Sequence, residues 1–157
     1  MQEQRENIFI SYCREDSRWL EKLREMLAPL LRKEQLKTWD DSDIKAGTRW
    51  YEEIKRAIAS SKVAVLLVSA HFLASKFIME DELPLLNAAR NDGLIILWVA
   101  VSHCMYRYTD LAAEQALNTD PAKPLDSLTP TKLNKELERI CKRIEEAMKN
   151  PPQGVTS

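Results

Sequence analysis

The sequence predicts an α/β domain, a flavodoxin-like three-layer sandwich with a five-stranded parallel sheet (order 2-1-3-4-5) and helices on both faces. Two apolar runs carry most of that prediction. Val63-Ala64-Val65-Leu66-Leu67-Val68 and residues 94–101 contain no polar alternation, which marks strands covered on both faces. Around them lie segments with apolar residues three and four apart, the helical period. Strand and helix therefore alternate from residue 7 to residue 101, the order that a parallel sheet with crossover helices requires.

Ile8-Phe9-Ile10, ending in Ser11-Tyr12, reads as the first strand. Leu20, Leu23, Met26, Leu27, Leu30 and Leu31 stripe the first helix, with Asp16 or Ser17 as its N-cap and Pro29 as a late kink point. Leu36-Lys37-Thr38-Trp39 is short and mixed, as an edge strand is. The polar stretch 40–49 precedes a second helix marked by Trp50, Ile54, Ala57 and Ile58. The run at 63–68 is the third strand, and Leu83, Leu86 and Ala89 place a helix over 80–90, with Pro84 tolerable only in a first turn. Residues 94–101 form the fourth strand. Further on, 106–116 reads as a short helix, Ala116-Leu117 as a brief fifth strand, and 120–130, with three prolines, as a loop. Leu133, Leu137, Ile140, Cys141, Ile144 and Met148 stripe the last helix. The domain is expected over 7–149, with 150–157 a tail or linker towards a further domain. In such sheets ligands lie beyond the carboxyl ends of the strands, where strand order reverses. Those ends are Ser11-Tyr12, Trp39-Asp40, Ser69-Ala70 and Val101-Ser102.

Composition removes several functional classes. With 23 basic against 24 acidic residues the chain lacks the concentrated positive charge of a nucleic-acid or polybasic membrane surface. The longest apolar run, at 94–101, is too short to span a bilayer. Cys13, Cys104 and Cys141 are widely spaced and odd in number, as expected of reduced thiols in a cytoplasmic protein. GxGxxG, GxxxxGK[ST] and GxSxG are absent, and His71 and His103 have no ligand-spaced neighbours, so no metal site is expected. A phospho-accepting receiver domain shares the topology, but Ser11-Tyr12-Cys13 and Ser69-Ala70 supply neither of its acidic positions.

Several boxes, in order, carry a family resemblance. Asn7-Ile8-Phe9-Ile10-Ser11-Tyr12-Cys13-Arg14-Glu15-Asp16 resembles the opening box of Toll/interleukin-1 receptor (TIR) domains. Trp39-Asp40-Asp41-Ser42-Asp43-Ile44-Lys45-Ala46-Gly47-Thr48-Arg49-Trp50 is similar to their second strand and BB loop. Val65-Leu66-Leu67-Val68-Ser69 with Phe72, Ser75, Phe77 and Glu82-Leu83-Pro84 resembles a box of the prokaryotic type. Gln115-Ala116-Leu117-Asn118 with Lys123-Pro124-Leu125 resembles the closing strand and loop.

The resemblance implies an activity and a site. Many such domains are NAD+ glycohydrolases, releasing nicotinamide and leaving ADP-ribose or a cyclic isomer after self-association. Others are non-catalytic scaffolds that signal through TIR–TIR contacts. The family's catalytic glutamate lies in the helix after the third strand, and Glu82 is the matching position. Its commoner spacing puts that glutamate four residues after an aromatic; from Phe77 to Glu82 it is five, and Glu80 and Asp81 are neighbouring acids. The implied substrate contacts are Ser11 and Tyr12 at the first strand's end, Lys45 and Arg49 for the diphosphate, Trp50 for the adenine end and Phe77 for the pyridinium face. No resident cofactor is expected, NAD+ entering as substrate. The implied partners are other TIR domains in a homo-oligomer or filament, and the role that of a bacterial effector or adaptor.

The chemistry is compatible with a single carboxylate. Nicotinamide is already a cationic leaving group, so no acid has to protonate it, and the sugar passes through an oxocarbenium-like state. One carboxylate can hold the ribose hydroxyls and stabilise the developing charge. The same residues have plain structural roles as well. Acids at 80–82 suit a helix N-terminus, Phe77 and Trp50 suit the core, and Lys45 and Arg49 suit a solvated loop.

Overall fold

A computed structural model describes residues 5–40 and 50–150. Four parallel strands, β1 (Asn7–Ser11), β2 (Thr38–Trp39), β3 (Ser61–Val68) and β4 (Ile95–Ala100), form one sheet in the order β2-β1-β3-β4. Helices α1 (Ser17–Glu34), α2 (Trp50–Ala59), α3 (Ala70–Ala74), α4 (Leu83–Arg90) and α5 (Pro130–Lys149) flank it. The chain leaves β1 towards β2 on one side and returns to β3 on the other, so strand order reverses between β1 and β3.

Side-chain alternation along the strands builds two cores. Ile8, Ile10 and Tyr12, Val63, Val65 and Leu67, and Leu97 and Val99 face α1 and α5. Phe9, Ala64, Leu66 and Val68, and Ile96, Trp98 and Ala100 face α2, α3 and α4. All eight residues of β3 except Lys62 are buried, the reason this strand carries no polar period. Lys62 instead donates to the Met148 carbonyl in the last turn of α5, at 2.5 Å, where a cation also suits the helix dipole.

The expected fifth strand is reduced to one bridge, Ala116 beside Trp98. The Leu117 amide donates to the Trp98 carbonyl at 2.7 Å, and then a side chain replaces the ladder. Asn118 Oδ1 accepts from the Ala100 amide at 2.7 Å and Asn118 Nδ2 donates to the Ala100 carbonyl at 3.1 Å. A carboxamide carries the donor and acceptor of a peptide group, so the edge of β4 is satisfied while the backbone turns away. The expected helix at 106–116 is two 3₁₀ turns, Tyr106–Tyr108 and Asp110–Ala113, and a third, Leu125–Ser127, sits within the proline loop.

Glu136 on α5 ties this region down. Its carboxylate accepts from the Thr119 amide and hydroxyl and from Arg139 Nε, at 3.1, 2.8 and 2.9 Å. Burial alone raises its pKa, but these donors outweigh it and hold the carboxyl below the ordinary glutamate value. A pKa depressed by folding adds stability above the unfolded-state value, and that stability is lost as pH falls through the folded value. Glu136→Gln is therefore expected to flatten the acid limb of the thermal midpoint against pH and to leave its neutral-to-alkaline shape unchanged, as followed by circular dichroism.

Candidate functional site at the carboxyl ends of β1 and β3

Of the three acids at 80–82, Glu82 is the buried one. It has no exposed surface, whereas Glu80 and Asp81 beside it are exposed. It lies four residues from Ile78 and from Leu86, both packed on the α2–α4 face of the sheet, so its carboxylate is turned to that face. A buried carboxylate is costly to desolvate.

Ser11 closes β1 on the same face. It follows Phe9 by two residues and pairs in register with Leu66, both members of the α2–α4 core. Its Oγ is buried and has no hydrogen-bond partner among the described residues. Buried hydroxyls are rarely left so. Tyr12, one position on, alternates to the opposite face and packs with α1 and α5. The structure thus brings Ser11 and Glu82 to one side of the sheet and sends the Tyr12 ring to the other.

Phe77 and Trp50 touch each other. Their ring centroids are 5.1 Å apart at 63°, an edge-on contact. Trp50 opens α2, meets Tyr51 at 5.8 Å and 85°, and is 37% exposed. Phe77 packs partly on the α2–α4 core. Lys45 and Arg49 lie outside the described residues.

A polar link that sequence reasoning missed holds the two strand ends together. Ser69, immediately after β3, donates from its hydroxyl to Asp16 Oδ2 and accepts from the Phe72 amide at 3.1 Å, capping α3. Asp16, expected as an N-cap of α1, makes no cap bond and reaches across to β3 instead. Both residues are buried. Ser69→Ala removes the donor to a buried carboxylate and an N-cap together, so a loss of about 1–3 kcal/mol is expected in urea unfolding.

Cys13 does not offer a nucleophile. Burial and then its 2.7 Å hydrogen bond to Glu15 push its thiol pKa up, the wrong direction for a reactive thiolate. Burial pushes Cys141 up to about 12. Among the described residues no group of three His, Cys, Asp or Glu could hold a metal ion, and no helix is long and apolar enough to cross a membrane.

A parallel sheet in this order with helices on both faces is a flavodoxin-like α/β domain. The TIR-domain family profile matches residues 8–130, and the chain belongs to the TIR domain family. It is 25% identical over 142 residues to an uncharacterized protein, y4lF, of Sinorhizobium fredii (strain NBRC 101917 / NGR234), covering 90% of this chain and 43% of that protein. The chain thus spans less than half the length of this relative. Among solved structures it is similar to the TIR domain of the Toll-related receptor TRR-2 from Hydra magnipapillata, with TM-score 0.57, 15% identity, and coverage of 91% of this chain and 98% of that one. That likeness shows the fold. The TIR domains of the activated Roq1 resistosome are a further neighbour, with TM-score 0.49, 20% identity, and coverage of 87% and 84%.

Proposed function

We propose that this TIR domain is an NAD+ glycohydrolase, cleaving NAD+ to nicotinamide and ADP-ribose or a cyclic ADP-ribose isomer, and that self-association completes its site. The supporting observation is Glu82, wholly buried in the helical segment that follows β3 and flanked by the core residues Ile78 and Leu86.

The reaction breaks the bond between C1′ of the ribose and the nicotinamide nitrogen. The bond's electron pair leaves with the ring, which becomes neutral, and positive charge grows on the ribose. Glu82 holds the ribose hydroxyls and opposes that charge in a site where water does not screen it. Water, or a nucleophilic atom of the adenine in the cyclic outcome, then forms the new bond to C1′ and releases its proton to solvent where it carries one. Ser11 Oγ offers a hydrogen bond to the same sugar. The Trp50–Phe77 pair offers faces to the adenine and to the pyridinium, the latter attraction contributing ~0.5–2 kcal/mol.

The test is incubation of concentrated protein with NAD+ and chromatography of the products. Equimolar nicotinamide and ADP-ribose, or a cyclic isomer, is the expected result. Intact NAD+ at concentrations where self-association is complete overturns the proposal and leaves a signalling scaffold.

A further inference from the structure

The segment that carries Glu82 does not begin as an α-helix. Phe77–Glu82 is a π-helical turn running directly into α4, and the Leu83 amide donates to the Ile78 carbonyl, five residues back. Such turns hold more residues than an α-helical turn, are rare, and occur frequently at functional sites. Here the consequence is angular. In an α-helix, residues five apart are separated by roughly 140° around the axis, so a buried Glu82 would turn Phe77 towards solvent. A turn closed by bonds to the fifth residue, at about 4.4 residues per turn, reduces that separation to roughly 50°. Phe77 keeps its contact with Trp50 while Glu82 stays buried.

We infer that the π turn is a positioning device, absorbing one surplus residue so that Phe77 and Glu82 lie on the same side of the helix. The inference rests on the reading of Glu82 as the catalytic carboxylate. The surplus residue is one of the pair Glu80 and Asp81, both exposed. Upstream, the segment is fixed by Ser75, whose hydroxyl accepts from the Ile78 amide at 3.2 Å, and by Ile78 in the core. Downstream, it is fixed by Leu86 in the same core. Removing one exposed residue between these anchors allows an unbroken α-helix with Phe77 and Glu82 four apart, roughly 40° around the axis. Neither anchor has to turn. In a regular helix the same deletion would rotate one side by roughly 100° and unseat it.

The experiment deletes Glu80, and separately Asp81, in the full chain. Two readouts are used. The first is kcat and KM for nicotinamide release, each expected within about threefold of the parent. The second does not depend on activity: Glu82→Cys is introduced into the parent and into each deletion, and iodoacetamide labelling at that position is followed by peptide mass spectrometry, with Asp81→Cys in the parent as the exposed reference. Position 82 is expected to stay protected in parent and deletions alike. Labelling at the rate of the exposed reference in a folded deletion overturns the inference. So does failure of both deletions to fold, or a folded deletion in which kcat drops about a hundredfold at unchanged KM. If the parent releases no nicotinamide, the proposed activity alone fails, and labelling decides the positioning claim.

Discussion

Glu82→Gln is expected to lower kcat for nicotinamide release by roughly 10²–10³ while leaving KM and the fold close to those of the parent. Gln keeps the size and hydrogen-bonding ability of the side chain and removes only its charge. If the carboxylate acts by opposing charge that appears on the ribose in the transition state, the loss falls on kcat, because substrate binding precedes that charge. The specificity of the effect is part of the prediction. Glu80→Gln and Asp81→Asn alter exposed neighbours in the same turn, where charge is screened by solvent, and are expected to change kcat by less than about threefold. Product chromatography for the three variants, with calorimetric NAD+ titration, checks both halves. Equal losses in all three would make the acidic turn a general electrostatic feature and not a catalytic group.

The second large effect is on stability. Trp98→Ala is expected to cost about 3–5 kcal/mol in urea unfolding. Trp98 is 2% exposed at the middle of β4 and pairs with Leu66 of β3. Its ring meets Tyr106 at 4.8 Å, and its Nε1 donates to the Glu114 carbonyl at 3.1 Å. Its backbone also carries the bridge to Ala116. One side chain therefore joins the sheet to the irregular segment 104–116. Removing it leaves a cavity and an unpaired carbonyl together. Trp98→Phe restores the ring but not the indole donor, and is expected to recover most of the loss. A Phe variant as unstable as the Ala variant would place the stabilisation in the hydrogen bond instead.

The layers were legible because burial leaves a direct mark on composition. Strands covered on both faces have no room for polar alternation, and the 63–68 and 94–101 runs show it. At the closing edge the pairing at Ala116-Leu117 was legible, but its shortness was not, because Asn118 replaces ladder hydrogen bonds with side-chain ones and a single asparagine in a polar segment gives no periodic signal. The same holds for Asp16 and Ser69. Both are ordinary capping residues in sequence, and only the fold brings them together. At the site, Ser11, Phe77, Trp50 and Glu82 were named from the resemblance, and the structure adds which face of the sheet each takes. Tyr12 could have been assigned to the opposite face by counting, since adjacent residues in a strand alternate. The five-residue spacing from Phe77 to Glu82 was visible as an irregularity, but its resolution by a π turn depends on anchors at both ends that no local pattern reveals.

The proposed reaction depends most directly on where the Glu82 carboxylate lies relative to the sugar. A crystal structure of the assembled domain with a non-hydrolysable carba-NAD+ should place a Glu82 carboxylate oxygen within hydrogen-bond reach of the nicotinamide-side ribose hydroxyls, about 2.6–3.2 Å. A dinucleotide bound with that ribose on the α1–α5 face, or beyond reach of Glu82, would contradict it.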